Sequence, residues 1–188
     1  MSGSSLKARG EAGEPPGFGS GTIHIGRGDF AVAEGDGRPI GTILGSCVAT
    51  CMFDPVAALG GMNHFLLPDG PRGSASAAFG SHAMELLINA VLKAGGARRN
   101  LRAKVFGGAR VVAGLSDVGQ RNAVFVKDFL DRDGIPCVGE SLGGEHARRL
   151  VFLPGSGRVR MAFVQGRILE APAPVPAPDG RGGELELF

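Results

Sequence analysis

From Thr42 to Pro68 the chain reads TILGSCVATCMFDPVAALGGMNHFLLP, two apolar runs separated by breaks. Val48, Ala49, Cys51, Met52 and Phe53 form a strand-like run that Asp54-Pro55 ends. Gly60-Gly61 predicts a second turn, and Met62 to Leu67 again reads as a strand. Upstream, Thr22–Ile25 and Phe30–Ala33 are short strand candidates, with a turn over Gly35-Asp36-Gly37. Ile40 to Phe53 is the central strand region, interrupted at Gly45-Ser46. Further on the period changes. Pro71 to Ala78 is a small-residue loop, and Ser81 predicts an N-cap. Met84, Leu87, Ile88, Val91 and Leu92 then recur at helical spacing until Gly95, with His82, Glu85, Asn89 and Lys93 on the opposite face. Leu101–Phe106 predicts a strand. A second helix is expected from Asn122 to Arg132, with Val124, Phe125, Phe129 and Leu130 inward; Asn122 reads as its cap or, with Arg121, as a polar group that contacts substrate or shapes a pocket, the cap being slightly preferred. Ile135–Ser141, Leu150–Leu153 and Val159–Val164 read as strands, the last two joined by a Pro154–Gly157 turn. Strands, helix, strand, helix, strands is not the regular alternation of a doubly wound sheet. It predicts an α+β fold with mixed sheets and helices on the outside.

Composition narrows this picture. With 188 residues, 43% of them hydrophobic, one domain with loose ends is expected. Residues 1–20 are rich in Gly, Ser, Pro and charge and read as a disordered tail. Residues 21–170 carry the domain, and 171–188 form a Pro/Gly-rich tail ending in Glu184-Leu-Glu-Leu-Phe188. There is no Trp or Tyr, so aliphatic residues and 11 Phe must fill the core. A net charge of +2 gives no electrostatic case for nucleic acid. No apolar run approaches the roughly 20 residues of a membrane span, so membrane insertion is not expected. The start of the chain lacks a secretion signal and the cysteines number three, which predicts a cytoplasmic protein without a disulfide framework.

The chemistry concentrates where the central strands meet. Gly45-Ser46 runs straight into Cys47, and His64 sits at a matching place on the next strand. A thiol beside an imidazole suits nucleophilic chemistry, because the base takes the proton and the thiolate attacks. Pattern alone also fits two buried core residues. Cys51 shares the face of Cys47 two strand steps on and reads as core, and Cys137, beside Pro136, reads as structural. Zinc is not indicated: Cys47-x₃-Cys51 supplies half a ligand set, and His64 and His82 do not supply the other half at matching spacing. The glycine clusters complete no nucleotide-binding pattern. Arg148 and Arg149, with Arg158 and Arg160 across the hairpin, read as a basic patch or as solvated strand faces.

Several blocks occur together and in order: LGSCVATCMFDP, GGMNHFLLP, AMELLINAVLKAGG, AKVFGGA, VGQRNAVF and LGGEHARRLVFLPGSGRV. Over residues 21–165 the chain resembles the CheD family of bacterial chemoreceptor glutamine deamidases. The resemblance implies a layered, sandwich-like core of mixed sheets flanked by helices, as in bacterial toxin deamidases. It implies hydrolysis of glutamine side chains on methyl-accepting chemotaxis receptors through a thioester, with no cofactor and no metal. It assigns Cys47 as nucleophile, His64 as general base and acid, and Thr42 as the residue that orients His64. Backbone groups of Gly45 and Ser46 are the natural oxyanion donors, and Asn63, beside His64, is a candidate substrate contact. A CheC-type phosphatase is the further partner it implies. The other reading is a non-catalytic module that binds receptors or such a phosphatase. Ala147 and Ser156 depart from the family pattern, where glycine and threonine are expected.

Overall fold

The computed structural model describes residues 19–35, 37–67, 74–110 and 118–164, with the backbone alone for 74–77. The expected tails and Asp36 of the predicted turn fall wholly or largely outside these residues. Nine strands and two α-helices are present among the described residues, in the order β1 (Ile23–His24), β2 (Phe30–Glu34), β3 (Ile40–Leu44), β4 (Val48–Asp54), β5 (Leu59–Phe65), α1 (Ser74–Lys93), β6 (Arg102–Gly107), α2 (Val118–Asp133), β7 (Cys137–Leu142), β8 (Ala147–Leu153) and β9 (Arg158–Val164). They build two mixed sheets, β1-β3-β8-β9 and β2-β5-β4-β6-β7. β1 runs parallel to β3 and β6 parallel to β7, and every other pairing is antiparallel. The fold is the α+β arrangement of layered sheets and flanking helices that the sequence predicts. None of the helices described is long and apolar enough to cross a membrane.

β4 and β5 form the middle of the molecule, and every residue of both is buried. Strand parity divides their side chains between two cores. Val48 and Met52 of β4 and Leu59 and Phe65 of β5 pack with Met84, Leu87, Ile88 and Val91 of α1 and Val126, Phe129 and Leu130 of α2. Ala49, Cys51, Phe53 and Met62 point the other way, against Ile40 and Leu44 of β3 and Leu150 and Phe152 of β8. The five-stranded sheet is therefore covered on both faces, by helices on one and by the four-stranded sheet on the other. A strand buried on both sides has no polar face, which explains the unbroken apolar runs of this region.

Four expectations are corrected. Gly60 and Gly61 do not turn the chain: they lie inside β5, and the turn is the preceding Pro55–Ala58. A Cβ on Gly61 would strike the Ala31 carbonyl, Val32 and Leu87, so these glycines answer to close packing. Helix α1 starts at Ser74 and not at Ser81, because the Ala-rich stretch read as a loop has helical propensity of its own. In α2 the inward residue is Val126, whereas Val124 is 52% exposed. The buried set Gly119, Asn122, Val126, Phe129, Leu130 keeps one face, and Val124 lies off it. Cys137 is exposed on β7 and packs into neither core.

Asp54, fully buried at the end of β4, ties the β4–β5 turn to the segment before β6. Its carboxylate accepts hydrogen bonds from the N–H groups of Val56 (2.8 Å), Ala57 (3.0 Å) and Ala97 (2.8 Å) and from Asn100 Nδ2 (3.3 Å). Burial pushes its pKa up, but the bonds from Ala97, Ala57, Val56 and Asn100 outweigh it and hold the group below its ordinary value of 3.8. Asp54→Asn turns a donor toward these donors and is expected to destabilise the fold at pH 7 by about 2–3 kcal/mol in denaturant titrations. Because the folded pKa is depressed, the carboxylate's contribution is complete above about 3.8 and is lost as pH falls through the folded value. The difference between wild type and variant should shrink in melts recorded below that pH.

Candidate active site

Three polar side chains meet in the layer between the sheets. His64 lies on the face of β5 turned toward the four-stranded sheet, directly opposite Ala49 of β4 in the antiparallel register. Cys47, immediately before β4, belongs to the same inter-sheet core as Ala49 and is fully buried. It therefore lies diagonally across from His64 on one face. Thr42 comes from the other sheet. It is buried on β3, and its Oγ1 lies 2.8 Å from His64 Nδ1.

The Thr42 hydroxyl also donates to the Ile25 carbonyl at 2.8 Å. One hydroxyl has one proton, so with that proton on Ile25 its oxygen must accept from His64 Nδ1–H. The network thus assigns the neutral tautomer with the lone pair on Nε2. His64 Nε2 is buried and has no hydrogen-bond partner among the described residues. A buried acceptor left open on the face that carries a thiol is the arrangement a general base requires.

Burial lowers the His64 pKa, the Arg27 charge lowers it further, and the Ile25 carbonyl pulls the other way, leaving it at about 4. The inter-sheet core thus takes the base well below the ordinary histidine value of 6.5. Such an imidazole stays unprotonated at neutral pH and, once protonated, gives its proton up readily.

The chain before Cys47 is held from behind. The strap Gly107–Gly108–Ala109, at the end of β6, lies against it: Gly108 N–H donates to the Cys47 carbonyl (2.8 Å) and Ala109 N–H to the Gly45 carbonyl (2.9 Å). The Ser46 carbonyl accepts from Asn122 Nδ2 at 2.8 Å. Three consecutive carbonyls thus point into the protein, and in planar trans peptides the N–H groups of Ser46 and Cys47 are turned the opposite way. Gly107 and Gly108 have φ of +115° and +67°. A Cβ on Gly107 would collide with the Cys47 carbonyl oxygen, so glycine is required by both conformation and space. The strap is braced in turn by Gly143 N–H on the Gly107 carbonyl (2.9 Å) and Arg110 N–H on that of Gly144 (2.8 Å).

Other expected residues fall elsewhere. Asn63 is one residue from His64 and so on the opposite face of β5. Its Oδ1 accepts from Thr50 N–H (2.9 Å) and its Nδ2 donates to the Ala83 carbonyl (3.1 Å), beneath α1 and away from Cys47. Cys51 is core: burial drives its thiol pKa far up, against the pull of Lys104. Arg148 does not join a basic patch. Buried at the start of β8, it donates to the carbonyls of Ser141 and Gly143, to Ser141 Oγ (3.0 Å) and to the His146 carbonyl (3.5 Å), holding the loop that braces the strap. Arg149 and Arg160 line the outer face of their sheet. Asn122 is no cap. It sits in the second turn of α2, fully buried, and supports the site. Its place beside Arg121 in the VGQRNAVF block is the one sequence signal of that role.

In an NMR titration the His64 ring should keep its neutral signature from pH 7 down to about 5, with a midpoint near 4. A midpoint near its ordinary 6.5 would refute the buried, neutral assignment. Since the unfolded chain binds this proton first, stability should rise with pH between about 4 and 6.5 through this group.

A family model described as CheD chemotactic sensory transduction matches residues 66–163. Over 173 residues the chain is 46% identical to the probable chemoreceptor glutamine deamidase CheD of Agrobacterium fabrum, covering 88% of this chain and 96% of that one. Over 173 residues it is 47% identical to the protein of the same name from Caulobacter sp. strain K31, at 88% and 92% coverage. The Rhizobium meliloti protein of that name is 50% identical over 148 residues, at 77% and 81%. Among solved structures, the Bacillus licheniformis hypothetical protein YfiH aligns with a TM-score of 0.40 at 15% identity over 60% of this chain and 50% of that one, too weak a likeness to carry an argument. A family model over half the chain, and relatives near half identity along most of it, make this chain a member of the CheD family.

Proposed function

We propose that this protein is a chemoreceptor glutamine deamidase that uses Cys47 as nucleophile, His64 as general base and acid, and Thr42 to orient His64. The carrying observation is the Thr42–His64 hydrogen bond, which leaves a buried, unprotonated Nε2 on the inter-sheet face shared with Cys47. The names of the relatives supply the substrate: a glutamine side chain on a chemoreceptor.

In this reading His64 Nε2 takes the Cys47 proton as Sγ attacks the glutamine Cδ. The carbonyl oxygen becomes an oxyanion beside the N–H groups of Ser46 and Cys47. A rigid donor pair matters because the charge develops where water is excluded. The imidazolium then protonates the departing nitrogen, the C–N bond breaks, and ammonia leaves a thioester. The depressed His64 pKa favours this step, since a poorly stabilised imidazolium is a strong acid. Water, deprotonated by His64, adds to the thioester carbonyl. The C–S bond breaks, glutamate is released, and the thiolate recovers its proton. Gly45 contributes by presenting its carbonyl to the strap and so turning the next N–H forward. Asn63 has no part in these steps.

The proposal takes residues 21–170 as the deamidase domain, with 1–20 and 171–188 as tails, and takes the cytoplasm as the compartment, where receptor signalling domains are reached. A CheC-type phosphatase is proposed as a second partner on the family resemblance.

The test is mass spectrometry of a purified chemoreceptor cytoplasmic fragment after incubation with wild type, Cys47→Ala, His64→Ala or Thr42→Val. Wild type should add 1 Da at particular glutamines and release ammonia. Cys47→Ala and His64→Ala should lose about 100-fold or more. Thr42→Val keeps the shape but not the bond, and should lose about 10- to 100-fold in kcat by analogy with other orienting partners. Receptor binding without any mass shift would overturn the enzyme reading in favour of a binding module.

A further inference from the structure

The antiparallel ladder between β4 and β5 ends at the pair Val48 and Phe65. Continued by the same register, the next pairs would be Cys47 with Leu66 and Ser46 with Leu67. The ladder does not continue. Between Ser46 and Leu67 stands the side-chain amide of Asn122, whose Nδ2 donates to the Ser46 carbonyl at 2.8 Å and whose Oδ1 accepts from Leu67 N–H at 2.9 Å. The amide has a peptide's donor and acceptor, and it fills the gap as a one-residue strand would. Its orientation is fixed, since the flipped amide would set donor against donor and acceptor against acceptor.

We propose that Asn122 is a positioning residue that holds the Cys47 segment and the His64 segment apart at a set spacing, and so fixes the thiol–imidazole geometry. Ser46 immediately precedes the nucleophile, and Leu67 lies three residues past the base. The wedge therefore acts at the point where the two segments leave the ladder. It also ties back the Ser46 carbonyl, and planarity of the peptide then turns the Cys47 N–H away from α2. The wedge itself cannot drift. One turn earlier on α2, Gly119 packs so closely on the strap that a Cβ there would overlap the carbonyls of Gly108 and Ala109. The helix is thus seated on the same strap that holds Cys47 from behind. Asn122 touches no reacting atom in this account and acts only through Cys47 and His64. The inference deepens the deamidase reading and rests on it for its catalytic consequence.

The experiment compares wild type, Asn122→Asp and Asn122→Ala in full-length protein carrying Cys137→Ser, which removes the exposed thiol. Asn122→Asp keeps an acceptor for Leu67 N–H but sets an oxygen against the Ser46 carbonyl, and Asn122→Ala removes both bonds. Three readouts are taken: kcat and KM for ammonia release from a receptor fragment, the pH profile of Cys47 alkylation by iodoacetamide, followed by mass spectrometry of the Cys47 peptide, and the thermal melt. Expected is a loss of about 100-fold in kcat, as a misplacement of about 1 Å gives, with KM little changed. The alkylation profile should shift to higher pH, and in at least one variant the melt should lie well above the assay temperature. Variants with kcat within about threefold of wild type and an unshifted profile overturn the proposal. So do variants whose losses only follow the fraction unfolded, which would make Asn122 a residue of the fold alone. Alkylation needs no receptor, so the two readings separate. A wild type that releases no ammonia while the variants still shift Cys47 reactivity sinks the deamidase reading and keeps the wedge.

Discussion

The Thr42–His64 hydrogen bond requires two sheets to be stacked at the right distance. Sheets packed face to face lie about 10 Å apart, a gap normally filled by interdigitated apolar side chains. Here a threonine from β3 and a histidine from β5 bridge that gap at 2.8 Å inside a core of Ile40, Leu44, Leu150 and Phe152. The polar pair survives there because it is chained to a carbonyl: Thr42 satisfies Ile25, and His64 satisfies Thr42. Only Nε2 is left open, and its lone pair is the one that chemistry can use. The same apolar surroundings that make an open acceptor costly lower the imidazole pKa. Packing and reactivity are therefore one fact at this position.

Around that bond the site is built mostly from backbone. The carbonyls of Gly45, Ser46 and Cys47 are each held by a different donor, two from the strap and one from α2. Behind the strap stands the loop between β7 and β8, and behind that loop the buried guanidinium of Arg148. Backbone contacts of this kind leave no room for a side chain at Gly107, Gly108 or Gly119, whereas Gly143 and Gly144 have the room and are instead held at positive φ. The arrangement is stiff because each layer is hydrogen-bonded to the next and few of the groups have rotamers to explore.

Much of this was legible in the sequence. Cys47 and His64 lie 17 positions apart on neighbouring apolar strand runs, so a local reading could pair them, whereas Thr42, on the other sheet, came only through the family resemblance. The inward face of α1 was legible because one face is buried and the other wet. What failed was parity and distance. Asn63 adjoins His64 in sequence, and in a strand adjacency means opposite faces. Gly60-Gly61 looks like a turn in any window that cannot see Leu87 and Val32 pressing on it. Asn122 looked like a helix cap because its partners are 55 and 76 residues away.

Those separations bear on how the protein comes into being. Closing such contacts is slow relative to forming α1 or a hairpin such as β4–β5, because the entropy of closing a long loop must be met before any contact repays it. The strap and α2 are synthesised well after Cys47 and His64, and β8, which covers the inter-sheet core, later still. During that interval the chain holds an ordinary thiol and an ordinary histidine, not a matched pair. Reactivity is a property of the finished sandwich, so a nascent or misfolded copy is not armed to hydrolyse amides in its surroundings.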